Sequence, residues 1–142
     1  MIANINITKA KLDVTSIRQQ VQDSGTGAVV IFEGCTRNSH NNRTVEGLAY
    51  EAFIPMAEIE LERVRQEAIA LYKLDKCLIY HRIGDVNIME TALVVACSAA
   101  HRQEALNATS WIIDNIKKHV PIWKREKYAD GAESWIEGSG QY

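Results

Sequence analysis

The stretch METALVVACSA, residues 89–99, decides the fold class of this chain. Residues 92–96 are apolar on both of the faces that an extended strand presents, so other parts of the protein must cover both faces. The apolar run of residues 91–100 is too short to cross a membrane as a helix. We therefore interpret the stretch as a buried strand of a sheet.

Strand and helix patterns follow one another on either side of this strand. Residues 76–84 predict a partner strand, joined to it around a turn at Gly84 and Asp85. Downstream, apolar residues on one face predict a helix over about 102–118. Upstream, a helix is predicted from Pro55 to about Tyr72, because proline favours the first turn and apolar residues recur at spacings of four and three.

The remaining segments complete the order βαββαββαβ. They are an edge strand at 2–7, a short helix at 13–22, strands at 27–34 and 44–53, a polar and mobile loop at 36–44, and an extended segment at 122–128 before a turn. The strands at 27–34 and 44–53 are expected to form a hairpin with a long tip. This order predicts an α+β, two-layer fold, a mostly antiparallel sheet with three helices packed on it, in one domain over residues 1–142.

Composition and charge narrow the classes of partner. The 142 residues carry a net charge of -2, whereas general nucleic-acid binders are usually basic. Residues 117–127 nevertheless contain five lysines and arginines against one acid, Glu126. A local cationic cluster of this kind suits an anionic small molecule or an acidic partner, and neither nucleic acid nor a membrane is expected to bind.

The cysteines and histidines indicate a reducing environment and no metal site. Three cysteines, Cys35, Cys77 and Cys97, form no CxxC pair. An odd count without a secretory signal favours the cytoplasm. The histidines lack metal-ligand spacing, so we predict neither a metal nor a cofactor. Cys35 is either a nucleophile at the end of a strand or an inert core residue.

The segment HVPIWKRE, residues 119–126, places cations beside an apolar triplet. Pro121 ends the preceding helix, so Lys117 and Lys124 are expected to flank one bend beside Ile122 and Trp123. Two ammonium groups near an apolar wall lower each other's pKa, and a lysine so placed can act as an acid, a base or a nucleophile. The alternative is that Lys117 extends its charged end into water.

The segment SAAHR, residues 98–102, suggests an anion site at a helix start. If Ser98 caps the helix, His101 and Arg102 lie in or near its first turn, where an arginine is unfavourable unless an anion is bound. The alternative is that Arg102 bends back into water. Arg37 follows a buried strand, and we expect Arg37, His101 and Arg102 to converge on one anion site close to the two lysines.

Five ordered segments carry a resemblance to a known family: FEGCTRN, YEAFIPMAEIELERV, HRIGDV, SAAHRQEAL and IDNIKKHVPIWKRE. Together they span about residues 27–135 and resemble the large, catalytic subunit of molybdopterin synthase. The resemblance implies a sulfurtransferase that converts cyclic pyranopterin monophosphate into molybdopterin. Sulfur would arrive as a thiocarboxylate on the C-terminal glycine of a small ubiquitin-like subunit. The implied assembly is a homodimer with one such subunit on each protomer, a heterotetramer.

The resemblance also marks site residues. It implies catalytic roles for Lys117, nearest the transferred sulfur, and Lys124, which would stabilise developing negative charge or the pterin. The implied substrate-binding residues are Cys35, Thr36, Arg37, His101, Arg102, Lys117, Lys124, Arg125 and Glu126. Many family members have valine in place of Thr36, which leaves the arginine beside it unaffected.

Two other readings of the chain stay open at this point. One is a non-catalytic adaptor that binds the tail of a ubiquitin-like protein and has no need of Lys117. The other is a sulfurtransferase that carries a persulfide on Cys35, which predicts that Cys35→Ala abolishes activity.

Overall fold

The computed structural model describes residues 2–136. Their elements follow the order βαβββαβββαββ, which confirms the predicted α+β class. The elements are β1 (Ile5–Thr8), α1 (Val14–Val21), β2 (Ala28–Cys35), β3 (Ser39–His40), β4 (Arg43–Ala52), α2 (Ile54–Tyr72), β5 (Lys76–Arg82), β6 (Gly84–Asn87), β7 (Thr91–Ala99), α3 (Arg102–His119), β8 (Ile122–Tyr128) and β9 (Glu133–Ile136). No helix among these residues is both long and apolar enough to span a membrane.

The first sheet has the strand order β1-β5-β7-β2, and its pairs are antiparallel except β1 with β5. Helices α2 and α3 cover one face, where Leu61 and Ile112 pack against the side of β7 that carries Leu93 and Val95. Helix α1 covers the other face with Ile17 and Val21. Both apolar faces of β7 are therefore buried within one chain, and they do not require a second copy of the protein.

The second sheet has the order β3-β4-β8-β9, with β6 also paired to β4, and all of its pairs are antiparallel. The register sets Tyr50 of β4 opposite Lys124 of β8. A third core cluster, which contains Leu48 and Val86, lies on this sheet. The strand that follows α3 is thereby fixed in the middle of the sheet rather than at its edge.

The predicted hairpin of residues 27–34 with 44–53 is wrong. Strand β2 pairs with β7 in the first sheet, whereas β4 pairs with β8 in the second. The apolar residues of β2 alternate between the two cores, Val30 in one and Val29 in the other, so β2 belongs in the sheet that is covered on both sides.

The connection between these strands is also more ordered than predicted. Instead of a mobile loop, β3 and the start of β4 form a short hairpin, in which Ser39 pairs with Thr44 and His40 with Arg43. The turn between them consists of Asn41 (φ 50°) and Asn42 (φ 62°), and asparagine is among the residues that tolerate this left-handed conformation.

Two further expectations of local structure are wrong. Gly84 and Asp85 do not form the turn before β7; they begin β6, which pairs with β4, and the chain turns at residues 88–90 instead. Ser98 does not cap α3, because it is buried in β7, where its Oγ accepts a hydrogen bond from the Lys76 amide at 3.1 Å. The N-cap of α3 is His101, whose side chain makes no capping hydrogen bond.

Gly27 fixes the distance between the start of β2 and the segment that leads into α3. Its amide donates to the carbonyl of Ala99 at 2.9 Å. A Cβ atom at this position would lie 2.0 Å from the carbonyl oxygen of Ala100, which is impossible without moving the backbone. The residue must therefore be glycine because of close packing and not because of its backbone angles.

Candidate active site

Strand β8 presents different residues to its two faces. Lys124, Glu126 and Tyr128 are buried, whereas Trp123 and its alternate neighbours are more exposed. This alternation follows from the period of two in an extended strand. Lys124 is only 6% exposed, so the sequence HVPIWKRE places an ammonium group inside the protein rather than on its surface.

A pocket of about 800 Å³ lies between the end of α3 and the start of β8. Lys117 and Lys124 both line it, as expected from the bend at Pro121. Trp123 and Trp135 form part of the wall. The pocket thus combines two lysines with flat apolar surface, an arrangement suited to an anionic ligand that carries an apolar or aromatic portion.

The surroundings of Lys124 lower its pKa from 10.5 to about 7. Burial is the main cause, because it removes water from the ammonium group, and the charges of Lys117 and Arg37 add to the effect. The carboxylate of Glu126 acts in the opposite direction. Near neutral pH, Lys124 can therefore both hold and release a proton, as an acid–base group must.

Glu126 is fully buried and is held by two hydrogen bonds to one oxygen. His40 Nδ1 lies 2.7 Å from its Oε1, and the Tyr128 hydroxyl donates to the same atom at 3.0 Å. The resemblance implied that Glu126 binds substrate. Because the side chain has no exposed surface, it can influence a ligand in the pocket through Lys124, but direct contact would require the protein to open.

His81 and Tyr50 complete the buried side of the site. The His81 ring is fully buried, and this burial lowers its pKa to about 4, so the ring is neutral at physiological pH. Its Nδ1 lies 2.7 Å from the carbonyl oxygen of Arg82, which can only accept, so Nδ1 carries the proton. The rings of Tyr50 and His81 meet edge to face with their centroids 5.0 Å apart.

Cys35 is the last residue of β2, and Thr36 and Arg37 follow it. Thr36 is buried, and its backbone is clamped by the 88–90 turn, with the Thr36 amide 3.1 Å from the Glu90 carbonyl and the Met89 amide 2.9 Å from the Thr36 carbonyl. Arg37 is exposed and acts electrostatically on Lys124. Cys35 is exposed, with its Sγ 3.8 Å from Thr91 Oγ1.

The expected convergence of Arg37, His101 and Arg102 close to the two lysines does not occur within a single chain. His101 and Arg102 are exposed at the N-terminus of α3, whereas Lys117 lies in its last turn. At about 1.5 Å per residue, the helix separates Arg102 from Lys117 by about 22 Å. The sequence motif had placed Arg102 correctly in the first turn of α3, but the length of the helix keeps it apart from Lys117.

Arg125 also points away from the lysines. On the other face of β8 its guanidinium lies 3.9 Å from Glu51 and 3.5 Å from Glu133, and it stands 5.2 Å from the centre of the Trp135 ring. Of the residues that the sequence marked, the structure brings together Arg37, Lys117, Lys124 and Glu126. Among residues 2–136, no group of three histidine, cysteine or acidic side chains is arranged to hold a metal ion.

A family model described as MoaE protein matches residues 7–119. The chain belongs to the MoaE family. The chain is 48% identical over 118 residues to the molybdopterin synthase catalytic subunit of Pyrococcus abyssi, a match that covers 83% of this chain and 79% of that protein. The predicted family and enzyme class are thereby confirmed: the function is that of a molybdopterin synthase catalytic subunit in molybdenum cofactor biosynthesis.

Solved structures agree with this assignment. The crystal structure of molybdopterin synthase from Staphylococcus aureus matches this chain with a TM-score of 0.90 at 33% identity, covering 96% of this chain and 98% of that one. A protein complex of subunits 1 and 2 of the molybdopterin-converting factor from Helicobacter pylori matches with a TM-score of 0.78, covering 98% and 94% of the two chains. At 20% identity, the second likeness concerns the fold alone.

Proposed function

We propose that the pocket between Lys117 and Lys124 is where cyclic pyranopterin monophosphate becomes molybdopterin, with sulfur from the thiocarboxylate of a small ubiquitin-like carrier subunit. The observation that carries this proposal is Lys124, a buried lysine with a pKa of about 7 that lines the same pocket as a second lysine. Both substrates are anions, and cationic groups in a partly dry pocket stabilise negative charge more strongly than they would in water.

The two lysines have different roles in the proposed reaction. The thiocarboxylate sulfur attacks a side-chain carbon of the pterin, so that a C–S bond forms while the cyclic phosphate opens. Lys117 holds the sulfur end of the tail, and Lys124 in its ammonium form stabilises the charge that develops on the pterin. Water then cleaves the acyl–sulfur bond, which releases the carrier as a carboxylate and leaves the sulfur on the pterin. A second carrier delivers its sulfur to the neighbouring side-chain carbon, and the oxygen on that carbon leaves as water.

The carrier's tail fits the shape of the pocket entrance. Trp123 and Trp135 are each 52% exposed, and both belong to the pocket wall. A glycine-rich tail lacks bulky side chains and can lie extended between such walls. We therefore assign the small carrier subunit as the partner that reaches Lys117, with its C-terminal glycine innermost.

We also propose that the working unit is a homodimer with one carrier on each protomer. His101 and Arg102 suit an anion, yet α3 separates Arg102 from Lys117 of the same chain by about 22 Å. A second copy of the chain can supply them to the pocket, and this arrangement reconciles their predicted role in substrate binding with their position. We further propose that residues 1–142 form one domain and that the protein is located in the cytoplasm.

Alanine variants at the two lysines test the reaction directly. Lys117→Ala and Lys124→Ala should fold normally and lose about 10²–10³ in rate, as is typical when one preorganised charge contact is removed. Lys76→Ala is the matched control, because Lys76 is an exposed lysine at the start of β5 and does not line the pocket. Mass spectrometry of a reaction with thiocarboxylated carrier and the cyclic pterin reports the product. Wild-type turnover by the Lys117 variant would refute the assigned mechanism.

A further inference from the structure

The hairpin of β3 and β4 is clamped onto β8. The guanidinium of Arg43 lies 3.6 Å from the centre of the Tyr128 ring and 3.1 Å from the Asp130 carboxylate. The Ala129 amide donates to the carbonyl of Thr44 at 3.1 Å. These contacts hold the hairpin against the strand that carries Lys124 and Glu126, and they fix the position of His40 at the hairpin's tip.

His40 reaches from this tip to the buried carboxylate of Glu126. The two residues are 86 positions apart in the chain, yet His40 Nδ1 lies 2.7 Å from Glu126 Oε1. A carboxylate oxygen can only accept, so Nδ1 donates whether the ring is neutral or charged. The Glu126 side chain has no exposed surface, so its oxygen atoms depend on hydrogen-bond donors of the protein rather than on water.

The same carboxylate faces Lys124. Both side chains lie on the buried face of β8, two residues apart. Lys124 also faces the positive charges of Lys117 from α3 and Arg37 from the segment after β2, and the neutral ring of His81 from β5. Within this set, Glu126 supplies the negative charge. It raises the pKa of Lys124, whereas burial and the two cations lower it.

We propose that His40 is a positioning residue for the reaction: its hydrogen bond fixes the buried carboxylate of Glu126 toward Lys124, and this keeps an ammonium charge available to the anionic substrate. The inference rests on the proposed role of Lys124. It assigns a function to the hairpin that immediately follows Arg37, and it makes the site depend on a residue that does not touch the pocket.

Three variants separate this role from a general effect on the hairpin. His40→Ala removes the donor. His40→Asn retains it, since the amide nitrogen of asparagine takes the place of Nδ1 but cannot carry the charge of an imidazolium. Ser39→Ala is the matched control, because Ser39 belongs to the same two-residue strand and its side chain is exposed.

The first readout is an NMR titration of the Lys124 side chain in the protein alone, with the signal assigned by its loss in Lys124→Met. Glu126→Gln should lower the pKa of Lys124 below about 7, because the opposing negative charge is gone. His40→Ala should lower it by less, because a carboxylate that turns toward water is screened. His40→Asn and Ser39→Ala should leave the titration unchanged.

The second readout is synthase activity near pH 8 with thiocarboxylated carrier and the cyclic pterin. Each unit by which the pKa of Lys124 falls reduces its ammonium fraction about tenfold at that pH, and kcat should fall in proportion. His40→Asn should have a kcat close to that of the wild type, unlike His40→Ala. Adding His40→Ala to Glu126→Gln should cause no further loss, because the two residues act through one contact.

Three results would overturn the inference. They are a Lys124 titration in His40→Ala that superimposes on the wild type, failure of His40→Asn to restore kcat, and independent losses in the double variant. If Glu126→Gln does not fold, the comparison of the two His40 variants still decides. If the wild type makes no molybdopterin, the proposed function fails, whereas the NMR titration continues to test the link from His40 to Lys124.

Discussion

Replacing Lys124 by methionine should make the protein's stability respond differently to pH. Lys124 titrates at about 7 in the folded protein against 10.5 for an unperturbed lysine. Below pH 7 both states carry the proton, and the folded state bears the whole cost of a buried ammonium group. Between pH 7 and 10.5 the unfolded chain binds a proton that the folded protein does not, so the free energy of unfolding rises with pH.

The magnitude follows from the pKa difference. At about 1.4 kcal/mol per pKa unit, the shift from 10.5 to about 7 corresponds to about 5 kcal/mol of destabilisation at low pH. Methionine is similar in size and has no charge, so the variant lacks this contribution. Its free energy of unfolding should exceed that of the wild type at low pH, and this difference should shrink by about 1.4 kcal/mol per pH unit above pH 8. The substitution also removes the charge that faces Glu126. This loss changes the size of the stability difference from the wild type but not its dependence on pH.

Urea unfolding followed by circular dichroism at several pH values between 6 and 9.5 measures this difference. Lys118→Met provides the control, because Lys118 is an exposed lysine at the same end of α3. Its stability should run parallel to that of the wild type at every pH. Parallel curves for Lys124→Met and the wild type would show that Lys124 is not a destabilising buried cation, and the reasoning on the site would then fail.

Lys117→Met should raise the pKa of Lys124 above about 7, because it removes a neighbouring positive charge; an unchanged NMR titration would contradict the pairing of the lysines. Cys35→Ala should keep most of its product formation, and its inactivity would instead favour a persulfide carried on Cys35. Arg102→Ala should weaken pterin binding about ten- to a hundredfold, the value of a charge-assisted contact, without changing carrier affinity, and calorimetry showing equal losses would exclude this role. Light scattering should give a dimer at micromolar concentration; a monomer would argue against the assembly.

Local patterns predicted the long elements well. Helix α2 was expected over 55–72 and extends over Ile54–Tyr72, and β8 begins and ends where expected, because apolar spacing, Pro55 and Pro121 are properties of short stretches of chain. Leu71 falls on the face of α2 where apolar residues recur at spacings of four and three, but it is 62% exposed near the helix end. Strand pairing was harder, because the partner of β2 lies more than fifty residues away in β7.

The residues of the site also fall into those that a local pattern predicts and those that depend on distant strand pairing. Lys117 and Lys124 were found from the bend at Pro121, a local signal. His40, Tyr50 and His81 were missed, because their contacts with β8 depend on a register between distant strands that one sequence does not reveal. The separation of Arg102 from Lys117 could have been computed from the helix length alone, and the expectation of a shared site overlooked it.

The close approach at Gly27 connects a position remote from the pocket to substrate binding. Any side chain there would collide with the carbonyl of Ala100 and push aside the segment that leads into His101 and Arg102. Substitutions at residue 27 would therefore resemble binding-site mutations in a functional screen, although the residue contacts no ligand. Loss of pterin affinity from such a variant would report a displaced helix start, and a second position for the Arg102 guanidinium would be its structural signature.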